Sequence, residues 1–262
     1  MWHASSAGLA PAEFLDSVGR IFAHIDQQDS GNVSFGVAVA GKRYFVKTAG
    51  EPSGSARDRS AHGRRLARLE NAERLARSVS HPTLTQFVGS TETAWGRILV
   101  YRWADGVNLY APRHQRTPDS AGQRFRSLPL AVRVAAVRRI IDLHAALASQ
   151  GWVAGDFYDG CLIYDFKAGT MRVCDLDHYH PGPYRNTVGR MPGSTRFMAP
   201  EEFEKGRLID ERTTVFALGR TARLFLGDSV RALTGIACAP DPAARYPSVA
   251  TLADAFGAAA PA

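Results

Sequence analysis

The spacing of apolar positions changes character along this chain. Short runs of alternating or β-branched residues dominate the first hundred positions, and longer stretches with helical spacing dominate the rest. Residues 11–18 read as a short helix with Pro11 in its first turn. Residues 20–25 either extend that helix or form a strand. Residues 33–39 are rich in β-branched and aromatic side chains. Ala40-Gly41-Lys42-Arg43 then turns and Tyr44-Phe45-Val46-Lys47 returns, the signal of a hairpin. Residues 51–57, rich in Gly, Ser and Pro, read as a loop. Over 66–79 the positions Leu69, Ala72, Leu75, Ala76 and Val79 share one side of a helix, which His81-Pro82 ends. Two strands are expected next, over 84–88 and 96–103.

Asp105-Gly106 marks a boundary. Residues 112–127 read as polar and irregular. Residues 128–150 form a long amphipathic helix carrying Val132, Val134, Val137, Ile140, Ile141, Leu143 and Leu147. A stretch rich in Pro and Gly covers 181–193. Residues 213–226 read as a buried helix through Val215, Phe216, Leu218, Leu224 and Phe225, and 230–256 as a last helical region. No internal repeat is visible. The expectation is an α+β chain, with a β-rich lobe over residues 1–103, a helical lobe over 104–262, and a hinge near Trp103-Ala104-Asp105-Gly106.

The chain has 262 residues, 45% of them hydrophobic and 22% charged, enough for one large domain or two small lobes with real cores. Its formal net charge of +7 favours an anionic ligand such as a nucleotide. Much of that charge lies in Arg57-Asp58-Arg59 and Arg64-Arg65-Leu66-Ala67-Arg68, which read as the solvated face of a helix. No nucleic-acid-binding motif accompanies them, and no nucleic-acid partner is expected. Cys161, Cys174 and Cys238 are odd in number and lack paired spacing, which argues against a disulfide framework and a zinc site. No apolar run reaches membrane-spanning length, and the N-terminus lacks a basic region followed by an apolar core. A cytoplasmic protein without a membrane partner is the expectation.

Three segments carry candidate chemistry. In Ala154-Gly155-Asp156-Phe157-Tyr158-Asp159-Gly160-Cys161 an acidic residue precedes an apolar run. In Val173-Cys174-Asp175-Leu176-Asp177 a carboxylate ends a short apolar run. Phe197-Met198-Ala199-Pro200-Glu201 follows. In this order and spacing the three resemble the catalytic loop, the metal-binding motif and the Ala-Pro-Glu anchor of the protein kinases. The resemblance covers roughly residues 20–256. It implies the two-lobed protein-kinase-like fold and an ATP-dependent phosphotransferase that uses Mg²⁺ to move the γ-phosphoryl group to a hydroxyl.

The resemblance also implies roles. Asp156 would orient the attacking hydroxyl, Asp175 would hold Mg²⁺, and Lys47, at the end of a strand, would steady the phosphates. Lys47 would pair with a helical glutamate. Glu73 lies at the edge of the Leu69/Ala72/Ala76 face and Glu70 nearly opposite, so Glu73 is preferred. Gly31 and Val33 fall at nucleotide-covering positions, and Arg102 and Ala104 at the hinge positions that meet the nucleotide. Glu201 would pair with Arg245, inside Asp241-Pro242-Ala243-Ala244-Arg245.

Several positions depart from that pattern. Cys161 stands where the family has a metal-binding asparagine. A soft thiol suits Mg²⁺ poorly, so Cys161 is a weak metal candidate beside Asp175, and either one metal does the work or Asp159 or Asp177 substitutes at a second. Leu176-Asp177 replaces Phe-Gly, and Thr214 stands where the family has an aspartate. Gly155 replaces the arginine that reads a loop phosphate, so a phosphorylation switch is not expected. The glycine-rich loop is depleted, with Asp26 and Gln28 at glycine positions. Asp29-Ser30-Gly31-Asn32-Val33 looks more like the loop of the aminoglycoside phosphotransferases. Arg245 follows Gly219 at about half the usual distance, implying a shortened helical lobe without the peptide-docking helix. The acceptor is therefore read as a hydroxylated small molecule in slight preference to a Ser/Thr protein, with Arg185, Arg190 and Arg196 as candidate contacts. A catalytically dead fold acting as a binding module is the alternative.

Overall fold

The structure is a computed structural model that describes residues 8–26, 31–52 and 55–259. It is a mixed α+β protein, with an N-terminal five-stranded antiparallel sheet followed by a largely helical region. The chain divides into two compact units, one ending at 104 and the other beginning at 105, except that residues 81–84 belong to the second. No helix among the described residues is long and apolar enough to cross a membrane.

The first unit contains α1 (Pro11–Val18), β1 (Arg20–Ile25), β2 (Val33–Val39), β3 (Lys42–Thr48), α2 (Ala56–Ser78), β4 (Phe87–Thr93) and β5 (Gly96–Arg102). Its sheet runs in the order β1-β2-β3-β5-β4. Residues 20–25 form a strand rather than an extension of α1. At Gly19, where the chain turns, an added Cβ would lie 2.5 Å from the Ala38 carbonyl oxygen, so only glycine lets the backbones approach this closely.

Side chains alternate across the sheet, and this fixes what each face does. Phe35, Val37, Val46, Ile98 and Val100 pack on one face with Phe14 and Leu15 of α1. On the other, Leu99 packs with Ala49 and with Leu69 and Ala72 of α2. Each fully buried Leu or Val contributes about 1.5–3 kcal/mol, which holds both helices to the sheet. Lys47 pairs in register with Ser34 and Leu99, so it faces the same side as Leu99.

Helix α2 begins at Ala56, earlier than its apolar period indicates, inside the expected 51–57 loop. Its first half is arginine-rich, so a cap starts it rather than a stripe: Ser55 Oγ accepts from the Asp58 backbone N–H at 3.1 Å. The strand expected over 84–88 begins instead at Phe87, while Leu84 forms an isolated parallel bridge with Val173 in the second unit.

The second unit contains β6 (Val107–Asn108), α3 (Ala121–Arg126), α4 (Leu130–Ser149), β7 (Trp152–Val153), β8 (Leu162–Asp165), β9 (Thr170–Val173), β10 (His180–Pro181), β11 (Tyr184–Arg185), β12 (Leu208–Ile209), α5 (Glu211–Leu226), α6 (Arg231–Ala237) and α7 (Val249–Ala259). Two expectations change here. The stretch 112–127 holds α3, anchored by the fully buried Phe125, whose ring meets Tyr164 at 4.8 Å and Phe225 at 4.9 Å. Val132 is 38% exposed and does not join the buried face of α4, which runs through Ala136, Val137, Ile140, Ile141, Leu143, His144 and Leu147.

The interval between α5 and Arg245 also carries a helix, the seven-residue α6. Its Leu233 and Ala237 are buried, and it lies directly on α5. A Cβ at Gly219 would stand 2.7 Å from both the Ala237 Cβ and the Cys238 sulfur, so glycine is what permits the contact.

Candidate functional site

In the second unit the β8–β9 hairpin sets the site. Leu162 pairs with Val173, which places Cys161 and Cys174 side by side where the ladder ends. The Cys174 N–H donates to the Cys161 carbonyl at 2.9 Å. The segment leading into β8 and the segment leaving β9 are therefore held together, and with them Asp156 and Asp175.

Both aspartates adopt left-handed backbone conformations, with φ of 51° and 61°. Such a conformation costs a residue other than glycine about 1–2 kcal/mol, so the surroundings must enforce it. Cys161 is part of that enforcement. Its buried thiol donates to the Asp156 carbonyl at 3.5 Å and to the Asp175 carbonyl at 3.9 Å. Burial pushes the thiol pKa well up, and the Asp175 and Cys174 charges add to the effect, so the sulfur stays protonated.

Other contacts fix Asp156 from outside the hairpin. Thr214 on α5 accepts the Ala154 N–H at 2.9 Å, tying the residue two before Asp156 to a buried helix. A side chain at Gly155 would collide with the His178 carbonyl oxygen, which explains glycine at this position. Asp156 Oδ1 accepts the Ser194 backbone N–H at 3.2 Å. Beneath, the neutral His144 of α4 donates from Nδ1 to the Ile140 carbonyl and accepts the Tyr179 hydroxyl at Nε2, both at 2.7 Å. Burial lowers the His144 pKa to about 4, and its ring lies 4.4 Å from that of Phe157.

The expected metal ligands are not gathered into one donor set. Among the described residues no group of three His, Cys, Asp or Glu side chains is arranged to hold a metal ion. Asp175 is exposed and Asp177 is buried. The Cys161 thiol, a weak candidate ligand, is turned to the Asp156 and Asp175 carbonyls as a hydrogen-bond donor. Asp159 is committed to Arg196, whose Nη2 lies 2.6 Å from Oδ1. Asp175 is thus the oxygen donor of the four that fits a hard cation reached from solvent.

Of the three arginines expected beside the site, Arg196 bonds Asp159 and lies over the Phe197 ring at 5.0 Å. Arg190 bonds Thr195 at 3.0 Å, next to Ser194. Arg185 donates to the Gly206 carbonyl across the β11–β12 pair.

The expected Glu201–Arg245 pair is present and buried. Arg245 Nη1 and Nη2 meet the two Glu201 oxygens at 2.7 and 2.8 Å. Thr213 Oγ1 adds a third bond at 2.8 Å, and Arg245 also donates to the Ala239, Arg212 and Pro240 carbonyls. The guanidinium lies 4.8 Å from the Phe216 ring centroid. Burial, the largest single influence, pushes the Glu201 pKa up, but its hydrogen bonds and the Arg245 charge together outweigh it and hold the pKa down.

In the first unit Lys47 is buried in the middle of the sheet. Glu73 is also buried, but its carboxylate is taken up at the β4/β5 side of α2. Arg77 reaches Oε1 at 2.7 Å, Ser90 reaches Oε1 at 2.7 Å and Arg97 reaches Oε2 at 3.1 Å. Leu69 and Ala72 are the buried α2 residues that pack with Leu99, the residue paired in register with Lys47. Glu70 is exposed.

Gly31 has φ of 72°, and Gly50 packs on its carbonyl, where an added Cβ would stand 2.7 Å away. Val33 pairs with Thr48, whose hydroxyl donates to the Val33 carbonyl at 2.8 Å. Gln28, Asp29 and Ser30 lie outside the described residues. Arg102 turns to Tyr44, bonding its hydroxyl at 2.9 Å and lying over its ring at 4.9 Å, while Ala104 ends the unit half-buried.

The residues missed in sequence are Thr213, Ser194 and Glu202, together with the His144–Tyr179 bond. Glu202 alone had a local signal, its position three residues after Ala199 at the start of a helical turn, where its carboxylate accepts the Ala199 N–H at 2.6 Å. No protein-family model matches the chain, and no curated protein matches it.

Proposed function

We propose that this protein is an ATP-dependent phosphotransferase of the protein-kinase-like type, moving the γ-phosphoryl group of ATP to a hydroxyl. The observation that carries the reading is the meeting of Asp156 and Asp175, both in strained left-handed backbone and both tied to Cys161. Strain of this kind is maintained at sites that use it. The Glu201–Arg245 pair, found where the resemblance expects it, supports the fold half of the reading.

In this reading Asp156 orients the acceptor hydroxyl and takes its proton as the phosphoryl group transfers. Its carboxylate is positioned by the Ser194 N–H and its backbone by Cys161 and Thr214. Asp175 supplies oxygen to Mg²⁺, and Lys47 supplies positive charge to the phosphates. Mg²⁺ held there would supply positive charge that offsets that of the phosphates. The acceptor is a hydroxylated small molecule in slight preference to a Ser/Thr protein. The support is α6, the one α-helix between α5 and Arg245 among the described residues, which is committed to packing on α5.

Calorimetry with ATP and Mg²⁺ on the wild type, Lys47→Ala and Asp175→Ala tests the assignment. Mg²⁺-dependent binding that both variants weaken is expected, and unchanged affinity in both would sink it. A second reading, a binding module without turnover, is favoured by one observation. Among the described residues no group of three His, Cys, Asp or Glu side chains is arranged to hold a metal ion, and Asp159 is ion-paired with Arg196. ATP binding without any transfer would select it.

A further inference from the structure

Glu202 is a buried carboxylic acid with no part in the Glu201–Arg245 pair beside it. Only 4% of it is exposed. Its Oε2 accepts the Ala199 N–H at 2.6 Å. The side chain lines a small, partly open cavity together with Asp156, Ser194, Thr213, Phe157 and Met198. The cavity offers about 10 Å³, the room that one water needs, and its polar lining supplies the partners a buried water requires. Asp156 Oδ1 already holds the Ser194 N–H, and Thr213 Oγ1 is committed to Glu201.

We propose that Glu202 is a positioning residue for Asp156, acting through a single water held in the cavity the two carboxyl groups share. This rests on the reading of Asp156 as the orienting base. Protonated Glu202 donates to the water, and the water donates to the Asp156 carboxylate, fixing its rotation toward the acceptor hydroxyl. No covalent bond changes in this arrangement.

When Glu202 loses its proton it can only accept from the water, and two carboxylates then face one cavity. The charged and titratable groups around Glu202 are Glu201 and Asp156, which oppose its ionisation, Arg245, which favours it, and Tyr184, whose own ionisation Glu202 opposes. Burial, the larger influence, and the neighbouring carboxylates raise the Glu202 pKa to about 7. The handover therefore falls in the neutral range.

Carboxyl carbon NMR titrations of the wild type, Glu202→Gln and Asp156→Asn test this without requiring turnover. Gln at 202 can still accept the Ala199 N–H but cannot ionise. The Asp156 resonance is expected to show a second inflection as pH crosses neutrality, and Glu202→Gln to abolish it. From the other side, Asp156→Asn is expected to shift the Glu202 midpoint downward. An Asp156 curve unchanged by Glu202→Gln, or a Glu202 midpoint unmoved by Asp156→Asn, overturns the proposal. Where turnover is measured, its pH profile is expected to lose the neutral inflection in Glu202→Gln. Coupled titrations without any phosphoryl transfer would support the Glu202–Asp156 link while defeating the phosphotransferase reading.

Discussion

The thiol of Cys161 donates to the backbone carbonyl of Asp156 at 3.5 Å. The same sulfur reaches the Asp175 carbonyl at 3.9 Å. One side chain therefore ties the backbone of both aspartates. Two consequences follow in solution. Native Cys161 resists alkylation at pH 8, because its buried thiol stays protonated, and it reacts once the chain is unfolded in urea. Peptide mass spectrometry of native and unfolded samples reads this directly, and rapid native labelling of Cys161 would contradict it.

Breaking the Glu201–Arg245 pair is expected to be costly. Arg245→Met leaves a buried carboxylate whose remaining partner, the Thr213 hydroxyl, cannot neutralise it. A loss of about 3–5 kcal/mol in urea unfolding is expected. Arg245→Lys should not rescue it fully, since an ammonium cannot reproduce the paired bonds to both oxygens and the contacts to three carbonyls.

Acid sensitivity should come in part from His144. Burial lowers its pKa to about 4, against 6.5 for an exposed ring. Between those values the unfolded chain binds a proton that the native state refuses, so stability falls as pH drops from about 6.5 towards 4. The contribution is on the order of 3 kcal/mol when complete. His144→Leu combined with Tyr179→Phe, which removes the hydroxyl that would lose its partner, should flatten this limb in thermal melts. Glu202 works in the opposite sense. Its raised pKa gives stability that is complete below about 4.5 and lost as pH rises through about 7.

Much of the frame was legible in the sequence, for physical reasons that differ from place to place. The β2–β3 hairpin and α4 follow from apolar spacing alone. The Glu201–Arg245 pair was legible only through the resemblance of its two motifs, not from spacing or composition. The start of α2 was not, because a serine cap and arginines carry it rather than an apolar stripe. The α3 helix was hidden in a polar stretch whose one anchor is Phe125. At the site, Asp156 and Asp175 could be named from local pattern, but the roles of Glu73, Cys161 and Asp159 depend on partners far along the chain. Ser90 and Arg97 claim Glu73, and Arg196 claims Asp159. Spacing within a motif carries no information about such partners.

Thr214 tests whether the backbone before Asp156 needs its tie to α5. Thr214→Val keeps the shape and removes the acceptor of the buried Ala154 N–H. The expected cost is about 1–3 kcal/mol in unfolding free energy. A larger fall in turnover than in nucleotide affinity should accompany it, because positioning acts on the transition state. Thr214→Ser should recover most of both.

The central claim is that Asp156 orients a hydroxyl for phosphoryl transfer. The most direct test is transfer of label from γ-labelled ATP, with Mg²⁺, by the wild type and by Asp156→Asn across a panel of hydroxylated small molecules and Ser/Thr proteins, with ATP affinity measured on the same samples. The account predicts transfer by the wild type, a fall of about 10²–10⁴-fold in Asp156→Asn, and nearly unchanged ATP affinity. Wild-type turnover in Asp156→Asn, or no Mg²⁺-dependent transfer by the wild type to any acceptor, would contradict it.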